Sequence, residues 1–193
     1  MKNTLETIAV FGALNPPTLG HTQILSQVLS ETTVDKIILS PDKRNDKDYG
    51  IEDKHKIKIA YLYAENLQNQ FNVEMDNHFL EKNNGPTTTI AVDQYFREKY
   101  NDIWHIFSDV APMKNWENAD QYIEKKLQKI FLRPGYPLNA DKHIENYEYI
   151  DNKFIENISS TMVRDMIKNQ RKEVAEIISN QILDYIQDNN LYT

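Results

Sequence analysis

The chain predicts an α/β fold in which a parallel, Rossmann-like sheet is flanked by helices. Three observations carry that expectation. Short apolar runs of strand length alternate with longer segments whose apolar residues recur at helical spacing, the rhythm of a parallel sheet. The run Asp102-Ile103-Trp104-His105-Ile106-Phe107-Ser108-Asp109 is nearly continuously apolar, as expected of a central parallel strand. The first apolar run passes through a Gly/Pro-rich turn directly into a helical pattern, so a helix N-terminus faces the carboxyl edge of the sheet.

In chain order, Ile8-Ala9-Val10 reads as the first strand and Thr22 to Leu29 as the first helix, with Ile24, Leu25 and Val28 on one face. Val34 to Pro41 is the second strand, stopped by its proline, and Asp42 to Gly50 a charged loop. A helix is expected from about Ile51 to Leu67, with Ile57, Ala60, Tyr61, Ala64 and Leu67 inward. Phe71 to Met75 alternates as a short strand, Asn83-Asn84-Gly85-Pro86 is a turn, and Thr87 to Tyr100 a helix with Val92, Tyr95, Phe96 and Lys99 along one side. After the central strand come a short helix over 119–127, a strand over 129–135 ended by Pro134-Gly135, and a strand over 147–150. Helices over about 160–169 and 173–187 follow, with breaks at 170–172 or near Asn180. No repeat, low-complexity tract or linker divides the chain, so residues 1–193 read as one domain.

Composition narrows the function. Apolar residues at 40% supply a core, and charged residues at 26% are ordinary for a soluble protein. There is no apolar run of membrane-spanning length, and Met1 to Thr7 lacks a signal-peptide core. Without cysteine there is no disulfide, zinc–thiolate site or thiol catalysis, and a cytoplasmic setting is the simplest expectation. The net charge of −7 argues against a general nucleic-acid or membrane binder. An anionic substrate then needs a local basic pocket.

Two segments offer one. In Phe11-Gly12-Ala13-Leu14-Asn15-Pro16-Pro17-Thr18-Leu19-Gly20-His21, the glycines let the backbone approach a ligand or bend sharply, and the prolines stiffen the loop. His21 and Thr18 are placed to donate to a phosphate at the helix N-terminus. Far downstream, Arg164 lies in the first turn of a helix whose N-cap is Ser159 or Ser160. A cation there opposes the helix dipole at a cost of roughly 0.3–1 kcal/mol. Its side chain tilts back over the free N–H groups. A phosphate at that spot, joined by the hydroxyls of Ser160 and Thr161, resolves the conflict; a plain Ser cap with a solvated Arg is the alternative.

Gly12-Ala13-Leu14-Asn15-Pro16-Pro17-Thr18-Leu19-Gly20-His21 resembles the first signature of the nucleotidyltransferase superfamily, Gly-x-x-Asn/Asp-Pro-x-His/Thr-x-Gly-His, at every defined position. Ile158-Ser159-Ser160-Thr161-Met162-Val163-Arg164 is similar to its second, Ile-Ser-Ser-Thr-x-Ile/Val-Arg. The segments 131–138 and 182–192 look like those of bacterial nicotinate-mononucleotide adenylyltransferases, so the resemblance spans nearly the whole chain. It implies the nucleotidyltransferase fold and a reaction joining ATP to nicotinate mononucleotide, giving the deamido-NAD dinucleotide and pyrophosphate in NAD biosynthesis. Nicotinamide mononucleotide or pantetheine phosphate as acceptor, and a nucleotide-binding homologue that has lost turnover, are the rival readings. A dehydrogenase is set aside, because no Gly-x-Gly-x-x-Gly follows the first strand.

By the same resemblance, Thr18, His21 and Arg164 are the catalytic, phosphate-holding residues. Gly12, Ala13, Asn15, Gly20, Ser159, Ser160 and Thr161 line the ATP site. Mg²⁺ comes held through ATP phosphates and water, with no protein metal site. Asp109 ends the central strand where relatives carry Gly-x-Asp; here Phe107 replaces the glycine, and Asp109 either contacts nucleotide or caps a turn. Trp116 either stacks on a pyridine ring or packs internally. Lys47, ahead of Lys43 and Arg44, either supplies charge to ATP or belongs to a solvated loop. Thr88 and Thr89 stand where relatives have Ser/Thr-Tyr-Thr, and either meet the pyridine substituent or cap a helix. A homo-oligomer is left open.

Overall fold

The computed structural model describes residues 6–12, 14–31, 34–41, 50–81, 87, 89–100, 102–107, 128–132, 147–151 and 158–193. Six strands form a single sheet: β1 (Glu6–Gly12), β2 (Lys36–Pro41), β3 (Val73–Met75), β4 (Asp102–Phe107), β5 (Gln128–Leu132) and β6 (Tyr147–Asp151). Their order is β3-β2-β1-β4-β5-β6, and every pairing is parallel. The helices are α1 (Leu19–Glu31), α2 (Asp53–Gln68), α3 (His78–Glu81), α4 (Thr89–Lys99), α5 (Ser160–Lys168) and α6 (Asn180–Asp188), with a 3₁₀ segment at Lys172–Glu176.

The expected α/β architecture is thus present, and β2 shows how it is layered. Ile37 and Leu39 join one buried cluster with Ile24, Leu25 and Val28 of α1, Ile59, Tyr63 and Leu67 of α2, Val163 of α5, and Ile182 and Ile186 of α6. Ile38, between them, joins Val92 and Phe96 of α4 in a second cluster. Successive residues of a strand point to opposite faces, so three consecutive apolar residues feed two layers. The chain builds outward from β1 to β3, then returns across β1 to β4. Strand order reverses between β1 and β4, and the crevice for a ligand opens at their carboxyl ends. Gly12, opposite Pro41, marks that end of β1.

The elements differ from expectation in detail. Helix α1 starts at Leu19 rather than Thr22, because Thr18 supplies the cap carbonyl to the N–H groups of His21 (3.0 Å) and Thr22 (3.3 Å). In α2, Tyr61 is exposed; Ile59, Leu62 and Tyr63 take the inward places beside Ala60, Ala64 and Leu67. The single turn α3 has no periodic signal. The last helical stretch breaks before Asn180, where Ser179 caps α6 by accepting from Ile182 N–H. The expected turn over 83–86, the helix over 119–127 and the ends of two strands at 108–109 and 133–135 lie outside the described residues.

Helices α5 and α6 end alike. After α5, Gln170 N–H donates to Ile167 O (2.9 Å) and Arg171 N–H to Met166 O (2.9 Å), with Gln170 at φ 52°. After α6, Asn190 N–H donates to Gln187 O (3.1 Å) and Leu191 N–H to Ile186 O (3.0 Å), with Asn190 at φ 50°. Both are Schellman endings with a left-handed, non-glycine residue at the turn. The second one drives Leu191 into the core beside Ile186. No described helix is long and apolar enough to cross a membrane.

Candidate active site

The turn between β1 and α1 is buried to an unusual degree for a loop. Leu14, Asn15 and Thr18 are each at most 3% exposed. Leu14 has φ 40°, and the Asn15–Pro16 peptide is cis. Thr18 and His21 bind each other reciprocally across the first turn of α1. Thr18 N–H donates to His21 Nδ1 (3.1 Å), while Thr18 O accepts from His21 N–H. This is one half of a capping box, the side chain three residues on reaching back to the cap N–H, with imidazole in place of the usual carboxylate. Thr18 Oγ1 also sits 2.8 Å from Nδ1. Since Nδ1 accepts, the hydrogen-bond network assigns the ring proton to Nε2.

The second segment closes onto this loop from 140-odd residues away. Ser159 caps α5, its side chain accepting from Met162 N–H at 3.2 Å. With the cap filled, the next serine reaches across to the loop, where Ser160 Oγ donates to Pro16 O at 2.9 Å. Arg164 Nη1 donates to Asn15 O at 2.7 Å, and Nη2 to Thr161 Oγ1 at 3.0 Å. The guanidinium does lean back over the first turn, as expected, but it also clamps the loop backbone. At Gly20 the two segments leave no room for a side chain. A Cβ there would meet Ile158 O at 3.2 Å and Thr18 Oγ1 at 3.4 Å.

What is left over around the loop is mostly donors. In α1, Leu19 N–H donates to Ile177 O (2.9 Å) and the N–H groups of His21 and Thr22 are used by Thr18. Gly20 N–H has no acceptor among the described residues, and the same holds for Ser160 and Thr161 N–H in α5. Asn15 Nδ2 is buried without a partner, and so is Ser40 Oγ, which lies on β2 opposite Phe11. The first turns of α1 and α5 carry no acidic residue. Donors without an acceptor among the described residues, at two helix N-termini whose first turns carry no acidic residue, are the chemistry that suits an anion. Among the described residues no three His, Asp or Glu side chains gather to hold a metal.

The structure therefore brings together Asn15, Thr18, Gly20, His21, Ser159, Ser160, Thr161 and Arg164, with Gly12 ending β1 beneath them. Ala13, Lys47, Thr88, Asp109 and Trp116 lie outside the described residues. Thr89 is the first residue of α4. One contact had no signal in the motifs: the Tyr192 hydroxyl donates to Asn15 Oδ1. The Asn189-Asn190 pair after the helical pattern is a signal for a turn, but not for where the next tyrosine lands.

A sequence profile described as cytidylyltransferase-like matches residues 9–166, most of the chain and both segments of the site. The chain belongs to that family. Among curated relatives, a probable nicotinate-nucleotide adenylyltransferase of Bacillus licheniformis is 26% identical, covering 97% of this chain and 99% of that protein. One of the same description from Clostridium acetobutylicum is 22% identical, covering 95% and 98%. Among solved structures, Plasmodium falciparum nicotinic acid mononucleotide adenylyltransferase complexed with NaAD superposes with a TM-score of 0.79 at 19% identity, covering 97% of both chains. At that identity the superposition establishes the fold, and with it the nucleotidyltransferase architecture of this family member.

Proposed function

We propose that this chain transfers the adenylyl group of ATP to nicotinate mononucleotide, forming the deamido-NAD dinucleotide and releasing pyrophosphate. The observation that carries the reading is the set of donors around the Asn15–His21 loop that have no acceptor among the described residues: Gly20, Ser160 and Thr161 N–H and Asn15 Nδ2. The names of the curated relatives, matched over almost their full lengths, supply the acceptor.

In this reading an oxygen of the mononucleotide phosphate attacks the α-phosphorus of ATP. The bond from that phosphorus to the bridging oxygen breaks, and pyrophosphate leaves. The nucleophile is already an anion, so no general base is required. Catalysis is positioning together with stabilisation of the charge on the phosphoryl oxygens. His21 donates from Nε2, the nitrogen left protonated by its bond to Thr18, and Thr18 orients the ring. Arg164 supplies positive charge while fixing the loop through Asn15 O. Gly12, Ser159, Ser160 and Thr161 shape the ATP site, Ala13 belongs to it by motif, and Lys47 is assigned to it as the cation of the 42–50 loop.

Asp109, Trp116, Thr88 and Thr89 are assigned to the pyridine nucleotide on resemblance alone. The described donors are amides, hydroxyls, imidazole and guanidinium, which suit phosphate rather than a divalent cation. Mg²⁺ would accordingly be held through the nucleotide's phosphates, where it would neutralise part of their charge. We assign the activity to one domain in the cytoplasm.

The test is pyrophosphate release with ATP, Mg²⁺ and three acceptors: nicotinate mononucleotide, nicotinamide mononucleotide and phosphopantetheine. Turnover with nicotinate mononucleotide, well above the other two, is expected. Preference for another acceptor reassigns the substrate. Silence from protein that still binds ATP overturns the enzymatic reading.

A further inference from the structure

We infer that Tyr192, in the segment after α6, is a positioning residue of the nucleotide site: it orients Asn15 so that the buried Nδ2 presents its hydrogens to the bound nucleotide. This rests on the adenylyl-transfer reading above. The geometry comes from three observations. First, the Tyr192 hydroxyl donates to Asn15 Oδ1 across 177 residues of sequence. Second, Asn15 is 1% exposed, and its Nδ2 has no partner among the described residues. An amide has two ends; fixing the oxygen fixes where the nitrogen points. Third, Tyr192 holds φ 63°, a conformation that bulky residues rarely adopt. Backbone held in that region persists where surrounding contacts over-determine it, often beside functional sites. Here the Schellman turn at Asn190 and the burial of Leu191 set the chain's course, and Tyr192 follows with its ring against the core.

Asn15 is then gripped at two points. Arg164 holds its backbone carbonyl, and Tyr192 holds its side-chain oxygen. Only the Nδ2 group is left for a ligand. Its chemistry calls for an acceptor oxygen, such as a phosphate or ribose oxygen of the nucleotide.

The experiment compares Tyr192→Phe, Asn15→Ala and the double variant with the wild type. Calorimetric affinity for a non-hydrolysable ATP analogue, steady-state KM and kcat, and the thermal midpoint are measured for each. Removing the hydroxyl is expected to weaken analogue binding about tenfold, the size of one well-formed hydrogen bond. KM for ATP should rise by a similar factor, with kcat changed less. In the Asn15→Ala background the Tyr192→Phe change should add almost nothing, because the pair acts as a unit. Affinity within twofold of wild type, or an equal loss with and without Asn15, overturns the inference. A lowered thermal midpoint with unchanged affinity also overturns it, since that is the signature of a purely structural tyrosine. Should Tyr192→Phe fail to fold, Asn15→Ala must still lose the same affinity. A wild type inactive toward nicotinate mononucleotide but able to bind the analogue removes the proposed acceptor and leaves this comparison readable. A wild type that binds no analogue sinks both.

Discussion

Arg164→Lys separates charge from geometry in the candidate site. Lysine keeps the positive charge but replaces a planar fork with a shorter, single ammonium. In the structure the fork spans Asn15 O at 2.7 Å and Thr161 Oγ1 at 3.0 Å. One ammonium on a shorter stem cannot hold both. The bond to Asn15 O is the costlier to lose, since that residue is 1% exposed and water cannot easily replace the donor. A charge-assisted bond of this kind contributes about 1.5–3 kcal/mol, and the partial exposure of the guanidinium favours about 1.5. For a domain of this size that lowers the thermal midpoint by about 3–6 °C. The effect on catalysis should be larger: a loosened loop shifts Thr18 and His21, and misplaced stabilising donors cost about 100-fold in kcat/KM. Pyrophosphate release measured beside a melting curve reads both quantities. A variant within threefold of wild-type kcat/KM would show that charge alone suffices and that the clamp on Asn15 is irrelevant to turnover.

Three further outcomes are expected. His21→Ala should lower kcat about 10²–10³-fold, with the fold intact by circular dichroism; near-normal kcat removes the phosphate role. Gln170→Gly should stabilise by about 0.5–1 kcal/mol, because the left-handed turn after α5 suits glycine and Gln170 is exposed, and a lowered melting midpoint would contradict the Schellman reading. Asp76→Asn concerns a carboxyl that burial pushes up but that Lys99, His78 N–H and the Tyr95 hydroxyl together hold below its usual range. Its stabilising contribution is therefore present above about pH 4 and lost as pH falls through the lowered folded value. The variant should be about 1 kcal/mol less stable at pH 7 and flatter than wild type in acid melts; parallel acid profiles would refute this.

The sheet and the donors of the site were legible in the sequence for a physical reason. Strand β2 writes its burial on both faces as Ile37-Ile38-Leu39, and Ser159 caps a helix whatever lies around it. Local chemistry of that kind needs no knowledge of neighbours. Tyr61 of α2 faces solvent against expectation, because helical spacing alone cannot choose between adjacent stripes when apolar residues occur on several. The division of labour between the serines was equally hidden. Either could cap, and only the position of Pro16 O decides that Ser160 is spent on the loop. Tyr192 is the extreme case, a contact set by where a helix happens to end in space.

The meeting of Gly20 with Ile158 O has a consequence for how the protein is made. The loop emerges early in synthesis, yet its backbone oxygens wait for partners that follow by well over a hundred residues. A nascent chain that has made β1 to β6 already owns a sheet, but the ends of Asn15 and Pro16 are still solvated and nothing faces the anion from the other side. On the adenylyl-transfer reading proposed above, the site is complete only once Ser160 and Arg164 have arrived, and a bound nucleotide would add its own binding free energy to the contact between the late segment and the early one.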